Sequence, residues 1–396
     1  MLTARQAVGT AILGPMSSVE TRAEVIVIGG GIAGVSIAYE LSKLVSVTLL
    51  EMESTLAYHT TGRSAATFLE TYGGAQIRAL TTTSRAFFED PPDCFESALM
   101  TPRGLLQFAT AGRGHVIEDM HADVLPLVPD AELLDAAQCR EVFPLLRPEA
   151  VERGLYEPRA MTLDVAATHQ GYVRGARSYG AAIIRKAQVV TLRRHDQCWT
   201  VTTADGESHQ APLVVDAAGA WADVIARAAG VRPVGVTPLR RTIFMVDSPL
   251  AERGRGLPNC SEVDHAFYVN AEGAQFLCSP ADETPSEPCD AKPDEVEIAR
   301  AIEAINAATT IGVRSVATSW AGLRSFAPDR QFVVGADPEA AGFFWLAGQG
   351  GYGIQTAPAA AMLGAALALE QPVPPELVRR GLDVTRLAPG REVSDG

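Results

Sequence analysis

VIVIGGGIAGVSIAYELSKLVSVTLLE, residues 25–51, is the stretch that decides the fold. Val25–Ile28 are apolar and mostly β-branched, which is typical of a strand buried on both faces. Three glycines follow at G-x-G-x-x-G spacing: Gly29, Gly31 and Gly34. Apolar residues then recur at roughly helical spacing, and a second apolar strand ends in Glu51. This order predicts a dinucleotide-binding βαβ unit.

Each part of that unit has a physical role. Gly29 permits the tight turn, and Gly31 lets backbone N–H groups close on a pyrophosphate, to which the helix N-terminus adds partial positive charge. Gly34 allows the helix to pack closely on the strand. Glu51 is placed to accept hydrogen bonds from ribose hydroxyls and would repel a 2′-phosphate, so the stretch alone leaves NAD or FAD as the ligand.

Composition narrows the class of protein. A chain of 396 residues is long enough for two domains with an extensive core. Its net charge of −14 disfavours nucleic acid and anionic membrane surfaces as partners. No apolar run reaches membrane-spanning length, so no transmembrane segment is predicted.

Cysteines and histidines indicate the compartment and the absence of a metal site. The six cysteines form no C-x-x-C pair, which favours reduced thiols in a cytoplasm. The seven histidines show no metal-ligand spacing with them, so no metal is predicted. Residues 1–20 lack a basic n-region and a clear cleavage site, and they are predicted to be a disordered extension.

The middle of the chain predicts a second kind of sheet. Short alternating strands with turns between them indicate an antiparallel sheet, and they cover residues 242–247, 266–270 and 275–278. Helices are predicted over residues 80–89, from an N-cap at Asp164 to about Tyr179, and over residues 296–308. Residues 113–144 are predicted to be helical and partly exposed.

A second glycine-rich turn favours FAD over NAD. Phe343–Ala347 predicts a strand, and a long alanine-rich helix comes after the turn. Four glycines form that turn: Gly348, Gly350, Gly351 and Gly353. One adenine dinucleotide needs one phosphate cradle, whereas an isoalloxazine ring needs a dipole near the edge where negative charge develops on reduction. The buried strand Leu213–Asp216 also runs into small residues that permit close backbone approach.

Several blocks of sequence together resemble one family. They are VIVIGGGIAG with Glu51, HTTGRSAA, VVDAAGAW, WAGLRSF and GQGGYGIQT. In this order they resemble the D-amino-acid-oxidase-type family of FAD-dependent oxidoreductases from about residue 24 to the C-terminus. Within that family the chain looks most similar to bacterial D-arginine dehydrogenases.

The resemblance implies an α/β fold with a Rossmann-like FAD-binding domain and a second, antiparallel-sheet substrate domain. Both are expected to be discontinuous. The FAD-binding domain would take residues 21–100, 160–235 and 325–396, and the substrate domain would take residues 101–159 and 236–324.

The resemblance also implies the residues that hold FAD. The ADP part would lie against Gly29, Gly31, Ile32, Ala33, Gly34, Glu51, Met52, Arg63, Ser64, Ala65 and Ala66, with Val189 at the adenine. Ala218, Gly219 and Trp221 would lie along the cofactor. The flavin would be lined by Gly350, Gly351, Tyr352, Gly353, Ile354 and Gln355. The flavin-facing blocks contain no cysteine, so FAD is expected to be non-covalent.

For the substrate, the resemblance implies a clamp around an amino-acid carboxylate and amine. Arg324 would form a bidentate fork, which its planar guanidinium suits. Arg241, Tyr268 and the carbonyl of Gly351 would complete the clamp, and Tyr72 would lie in a lid-like loop.

The chain departs from its arginine-selective relatives at the side-chain end of the site. Leu105 stands where those relatives carry an acid, and Thr67 and Leu69 replace more polar residues. These differences predict a preference for apolar over cationic side chains.

The implied activity is oxidation of a D-amino acid to an imino acid, by hydride transfer from the α-carbon to flavin N5. The imino acid then hydrolyses to a 2-oxo acid and ammonia. Oxygen and a quinone-type molecule both stay open as electron acceptors. A glycine- or sarcosine-type amine oxidase is an alternative within the class, and a non-catalytic flavin-binding module is an alternative outside it.

Overall fold

The structure is a computed structural model that describes residues 20–254 and 256–392. The predicted disordered extension, residues 1–20, lies outside these residues except for Glu20, where the first strand begins. None of the described helices combines the length and the apolar character that a bilayer crossing requires.

The strands of the described residues are β1 Glu20–Arg22, β2 Val25–Ile28, β3 Val47–Glu51, β4 Thr67–Phe68, β5 Met100–Pro102, β6 Leu105–Ala109, β7 Glu132–Asp135, β8 Arg153–Glu157, β9 Met161–Leu163, β10 Ala182–Arg185, β11 Val189–His195, β12 Cys198–Thr203, β13 Ser208–Ala211, β14 Leu213–Asp216, β15 Thr237–Asp247, β16 Asn259–Glu262, β17 Tyr268–Glu272, β18 Gln275–Ser279, β19 Thr284–Pro285, β20 Thr318–Phe326, β21 Val333–Ala336 and β22 Phe343–Ala347.

The helices are α1 Ile32–Ser42, α2 Ala75–Glu89, α3 Gly114–Val124, α4 Ala136–Val142, α5 Val165–Ser178, α6 Ala222–Ala229, α7 Ala251–Gly254, α8 Glu295–Ala308, α9 Gly353–Ala368 and α10 Pro375–Arg379.

A six-stranded sheet in the order β10-β3-β2-β14-β22-β21 forms the centre of the dinucleotide-binding half. All its neighbouring pairs are parallel except the edge pair β21 and β22. The opening βαβ unit is confirmed, with β2 and β3 paired in parallel and α1 between them in the chain. Helix α1 is buried on nearly every side because α5 and α9 flank it, which explains why its sequence is almost entirely apolar.

A nine-stranded sheet forms the second half. Its order is β19-β15-β18-β17-β16-β6-β8-β7, and β20 pairs with β15. The sheet is antiparallel except where β16 runs parallel to β6. One face packs its apolar side chains with those of α8, among them Phe244, Phe276 and Ile305. The opposite face turns other side chains toward the six-stranded sheet, and the candidate site lies there.

Two parts of the structure differ from the sequence expectation. β7 lies inside the stretch predicted to be helical, because β8, the next strand in the chain, offers it a sheet edge to pair with. β20 carries the WAGLRSF block, yet no strand was predicted there. Asp164 as an N-cap is confirmed, since its side chain accepts a hydrogen bond from Ala167. The division into two discontinuous domains stays a prediction.

Candidate active site

A large cavity lies where the carboxyl edge of the six-stranded sheet meets the face of the nine-stranded sheet. It encloses about 1520 Å³ of empty space, which includes open solvent. Ligand sites in α/β sheets lie at the carboxyl ends of the strands. β2, β14 and β22 all end at this edge and are followed by small residues that line the cavity.

The first glycine turn forms the dinucleotide end of the cavity. Gly29 has a φ of 109°, and a Cβ there would stand 2.5 Å from the Ala217 carbonyl oxygen. A Cβ on Gly34 would overlap the Gly29 carbonyl oxygen, so only glycine lets α1 approach β2 this closely. Gly31 precedes α1. The position that a Cβ would take on Gly31 is open, and the one atom near it is Thr61 Oγ1 at 3.2 Å. Helix N-terminal N–H groups therefore face an open cradle.

Glu51 is held beside that turn at the end of β3. Its Oε2 accepts a hydrogen bond from the Gly30 N–H at 2.6 Å, and its Oε1 accepts one from Glu53 at 2.8 Å. The carboxylate is buried. Two backbone donors thus hold an acid next to the glycine turn, as a ribose-binding acid requires.

The second glycine turn joins the two halves of the cavity. Gly348 and Gly350 have φ values of 70° and 51°, and α9 begins three residues after the latter. The Gly350 N–H donates to the Ser325 carbonyl at 2.8 Å, which ties the turn to β20. A Cβ on Gly351 would stand 2.8 Å from Arg324 Nη1, so this glycine lies directly against the guanidinium.

The structure brings only part of the predicted cofactor set to the cavity. The predicted cofactor residues that line it are Gly31, Ile32, Ala33, Ser64, Ala65, Ala66, Gly219, Gly350, Gly351, Gly353, Ile354 and Gln355. Those that do not line it are Gly29, Gly34, Glu51, Met52, Arg63, Val189, Ala218, Trp221 and Tyr352. Gly29, Gly34 and Glu51 shape the turn from behind.

The side chain of Arg63 does not line the cavity, and its place in the ADP site stays a prediction. Its guanidinium donates to Asp290 Oδ1 at 2.6 Å and to the carbonyl oxygens of Ala321 and Ala291 at 2.9 and 3.2 Å. Its charge is already paired outside the cavity, and it links the 61–63 turn to β20 and the loop before α8. Thr61 is the residue of this block that supports the cradle, because its Oγ1 accepts the Ile32 N–H at 3.0 Å.

The substrate end contains the two predicted arginines. Arg324 on β20 and Arg241 on β15 lie on the same face, since Leu239 pairs with Arg324 and Arg241 pairs with Gly322. The guanidinium of Arg241 already has partners within the protein: it donates to the Asp282 carbonyl at 2.9 Å and to Glu283 at 3.3 Å. Burial, together with the charge of Arg324, lowers the pKa of Arg241.

Arg324, in contrast, has a guanidinium with almost no partner among the described residues. Its one side-chain hydrogen bond in the described structure is a long one of 3.5 Å to the Tyr72 hydroxyl. No carboxylate within the described ranges comes within 4 Å of its nitrogen atoms. A guanidinium stays ionised at any ordinary pH, so a half-buried one without a counter-ion favours an anionic ligand.

Tyrosines close the clamp on two sides. Tyr72 and Tyr268 both line the cavity with Arg324. The Tyr72 ring packs against that of Tyr352 at 4.6 Å between centroids. The clamp residues therefore come from the loop after β4, from β17, from β20 and from the turn before α9.

Five polar residues of the cavity wall were missed by sequence reasoning: Gln107, Asn259, Ser261, His265 and Asn270. Four of them alternate with buried residues on β6, β16 and β17, and this period of two is the signal that could have found them. Burial, and then the charge of Arg241, lowers the pKa of His265, which favours its neutral form. Leu105 lies beside these polar residues and packs with Leu69 and Ala160 in a small apolar cluster, so the predicted preference for apolar side chains stays a prediction.

An acid lies beside Leu105 on the same face of the sheet. Glu157 on β8 pairs with Leu105 in the sheet, is buried, and does not line the cavity. Both its oxygens accept hydrogen bonds from Thr71 Oγ1, at 2.9 and 2.8 Å, in the loop that carries Tyr72. Burial raises the pKa of Glu157 to about 7.

A βαβ dinucleotide cradle that faces an arginine-bearing antiparallel sheet is typical of flavin-dependent oxidoreductases. The chain belongs to the FAD dependent oxidoreductase family, whose sequence profile matches residues 24–367. FAD is the cofactor of that family, and the open cradle at Gly31 and the second turn at Gly350 and Gly351 fit it.

Human mitochondrial sarcosine dehydrogenase is 27% identical over 86% of this chain and 39% of its own length. Human mitochondrial dimethylglycine dehydrogenase is 28% identical over 67% of this chain and 32% of its own length. The chain thus spans only about a third to two fifths of these relatives. The structure is similar to that of glycine oxidase from Geobacillus kaustophilus, with a TM-score of 0.80, 20% identity, and coverage of 94% of this chain and 100% of that one.

These comparisons correct the narrower resemblance. They support kinship with sarcosine and dimethylglycine dehydrogenases and a glycine-oxidase fold, and they do not single out D-arginine dehydrogenases. The predicted fold class, an FAD-binding α/β fold with an antiparallel substrate sheet, is confirmed.

Proposed function

We propose that the protein oxidises D-amino acids with uncharged side chains to imino acids, which water then converts to 2-oxo acids and ammonia. The observation that carries this proposal is Arg324, a half-buried guanidinium that lines the cavity without a carboxylate partner in the described residues. A carboxylate of the substrate supplies the missing anion, and the planar fork of arginine orients it.

The groups around Arg324 then decide how the amino acid lies. In this proposal Tyr72 and Tyr268 flank the substrate carboxylate, and Gly351, which lies against Arg324, accepts a hydrogen bond from the substrate amine through its carbonyl. When bound, non-covalent FAD accepts the hydride that leaves the α-carbon. The contribution of the chain is to position the α-carbon, and no residue of the clamp has to act as a strong acid or base.

The choice of an uncharged side chain rests on the charges of the wall. Arg241 and Arg324 line the cavity, whereas none of its described lining residues is an aspartate or a glutamate. A cationic side chain loses hydration there without gaining a counter-ion. Leu105 stands at the place where an acid would select arginine.

Oxidation of an N-methylated glycine is the second candidate, because the relatives include sarcosine and dimethylglycine dehydrogenases. Such a substrate has no side chain to reach the wall formed by Gln107, Asn259 and Ser261. The extent of that wall favours an amino acid with a side chain. A non-catalytic flavin-binding module is disfavoured, since it has no use for an unpaired Arg324.

Anaerobic reduction of the bound flavin tests the proposal. The purified holoprotein is mixed with D-amino acids, their L-enantiomers, sarcosine and dimethylglycine, and flavin absorbance is followed. We expect bleaching by uncharged D-amino acids and little by the L-enantiomers. Bleaching by sarcosine alone supports the second candidate, and no bleaching by any amine contradicts both. Reoxidation by air or by a quinone analogue then identifies the class of acceptor.

A further inference from the structure

A row of uncharged polar side chains covers the sheet face beside the clamp. Ser261 on β16 pairs with Tyr268 on β17 and with Gln107 on β6. Two residues earlier on β16, Asn259 pairs with Leu105 on β6. Because residues two apart on a strand face the same way, these side chains share the face that lines the cavity. The clamp residue Tyr268 and Asn259 are diagonal neighbours, which places them roughly 7–8 Å apart.

Asn259 has an unused hydrogen-bonding atom in this wall. The residue is only 3% exposed. Its Nδ2 donates to Thr67 Oγ1 at 3.0 Å, but its Oδ1 accepts no hydrogen bond from any part of the chain that the structure describes. Buried polar atoms are almost always paired, so an unpaired acceptor beside a cavity indicates a ligand that donates to it.

The neighbouring amides are available as well. Within residues 20–254 and 256–392, the side chains of Gln107 and Asn270 make no hydrogen bond. Both line the cavity. Each amide offers a donor and an acceptor, so this wall can pair with a ligand group that carries both.

We propose that Asn259 selects amino acids whose uncharged side chain ends in a hydrogen-bond donor, with a glutamine-like carboxamide as the best match. The carboxamide NH₂ donates to Asn259 Oδ1, and its oxygen accepts from the Gln107 amide. The distance from Tyr268 to Asn259 suits the length of a glutamine side chain. This inference rests on the proposed function, since it takes Arg324 as the anchor of the substrate carboxylate.

Paired kinetics on D-glutamine and D-methionine test the inference, because the two side chains have similar length and only one is a donor. Wild type should prefer D-glutamine in kcat/KM. Asn259→Leu should lower that preference about tenfold or more, as loss of a buried hydrogen bond does, and should raise kcat/KM for D-methionine. An unchanged ratio, with both substrates still oxidised, overturns the inference and leaves the proposed function standing.

A second variant of nearly the same size guards against misfolding of the first. Asn259→Asp replaces the amide nitrogen that donates to Thr67 by an oxygen that can accept from the Thr67 hydroxyl, and it adds a carboxylate to a wall whose described residues include no acid. It should raise kcat/KM for D-lysine relative to D-glutamine by about tenfold or more. No shift in that ratio overturns the placement of Asn259 at the side chain. If no amino acid reduces the flavin of wild type, the proposed function itself fails, and the inference fails with it.

Discussion

The two ends of the cavity are built in different ways. The dinucleotide end is built from backbone: the turn at Gly29 and Gly31 and the N-terminus of α1 present N–H groups, and side chains stand back from it. The substrate end is built from side chains of distant strands, above all Arg324 on β20 and Asn259 on β16.

This difference has a physical cause. A pyrophosphate has the same charge and shape in every dinucleotide, so a fixed array of backbone dipoles suffices to bind it. Amino acids differ in their side chains, and only protein side chains can match them. The first site therefore fails when a Cβ is added, whereas the second fails when a charge or a hydrogen-bonding atom is removed.

Gly31→Val should have the largest effect, because a branched Cβ before α1 fills the space that the pyrophosphate needs. We expect colourless protein without activity, measured as flavin absorbance per polypeptide after purification. Gly74→Val is the matched control: Gly74 precedes α2 with nearly the same extended backbone as Gly31, and its Cβ would meet only Gln331 Nε2 at 3.4 Å. A yellow Gly31→Val protein contradicts the placement of the cradle.

Arg324→Met should keep FAD and lose activity, which separates the two ends of the cavity. Loss of the charged partner of a desolvated carboxylate costs roughly 2–5 kcal/mol, or tens to thousands of fold in kcat/KM. Arg324→Lys should recover little, because an ammonium lacks the planar fork.

Two variants calibrate that loss. Arg241→Met should lower kcat/KM less than Arg324→Met, since the guanidinium of Arg241 already donates hydrogen bonds to Asp282 and Glu283. Arg300→Met removes an exposed charge on α8 that pairs with Glu297, and it should change kcat/KM little. Near-normal kinetics of Arg324→Met would show that Arg324 does not bind the substrate carboxylate.

Leu105→Glu should change the preference among substrates rather than the overall rate of oxidation. It places a carboxylate in a wall that holds cations but no acid among its described residues. We expect kcat/KM for D-arginine to rise about tenfold or more relative to D-methionine. Leu105→Gln is the control, because it adds the same length without charge. Equal substrate ratios in the two variants show that Leu105 does not meet the substrate side chain.

Glu157→Gln should have the smallest effect on activity, and its signature is the pH dependence of stability. Burial raises the pKa of Glu157 from 4.5 to about 7, so between these values the folded protein holds a proton that the unfolded chain has lost. Wild type therefore loses stability as pH rises through this window, by at most about 3 kcal/mol. The variant lacks that loss and keeps an oxygen for Thr71. Urea unfolding should show a larger advantage for the variant at pH 8 than at pH 5, and an equal difference at both contradicts the assignment.

Much of the dinucleotide end could be predicted because its signals are local. The run from β2 to Glu51 contains its own strand, turn and helix, and β22 was predicted with the bounds that the structure shows. Gly34 can be read from the sequence because no other residue leaves room for the Gly29 carbonyl. The pairing of Arg63 could not be predicted for the opposite reason: its partners, Asp290 and Ala321, are more than two hundred residues away.

The sequence by itself predicted the cofactor cradle, because glycine spacing and apolar periodicity are properties of neighbouring residues, and its blocks in order predicted the family. The clamp residues follow from that resemblance and stay a prediction. Only the tertiary structure decided the wall of the substrate site. Asn259 and Glu157 acquire their character from burial and from strands that pair across long stretches of chain. The free energy of a buried polar group depends on its surroundings and not on its neighbours in sequence. Strand alternation could therefore mark the face on which Asn259 lies, but no local pattern showed that its oxygen is unpaired or that Glu157 is buried.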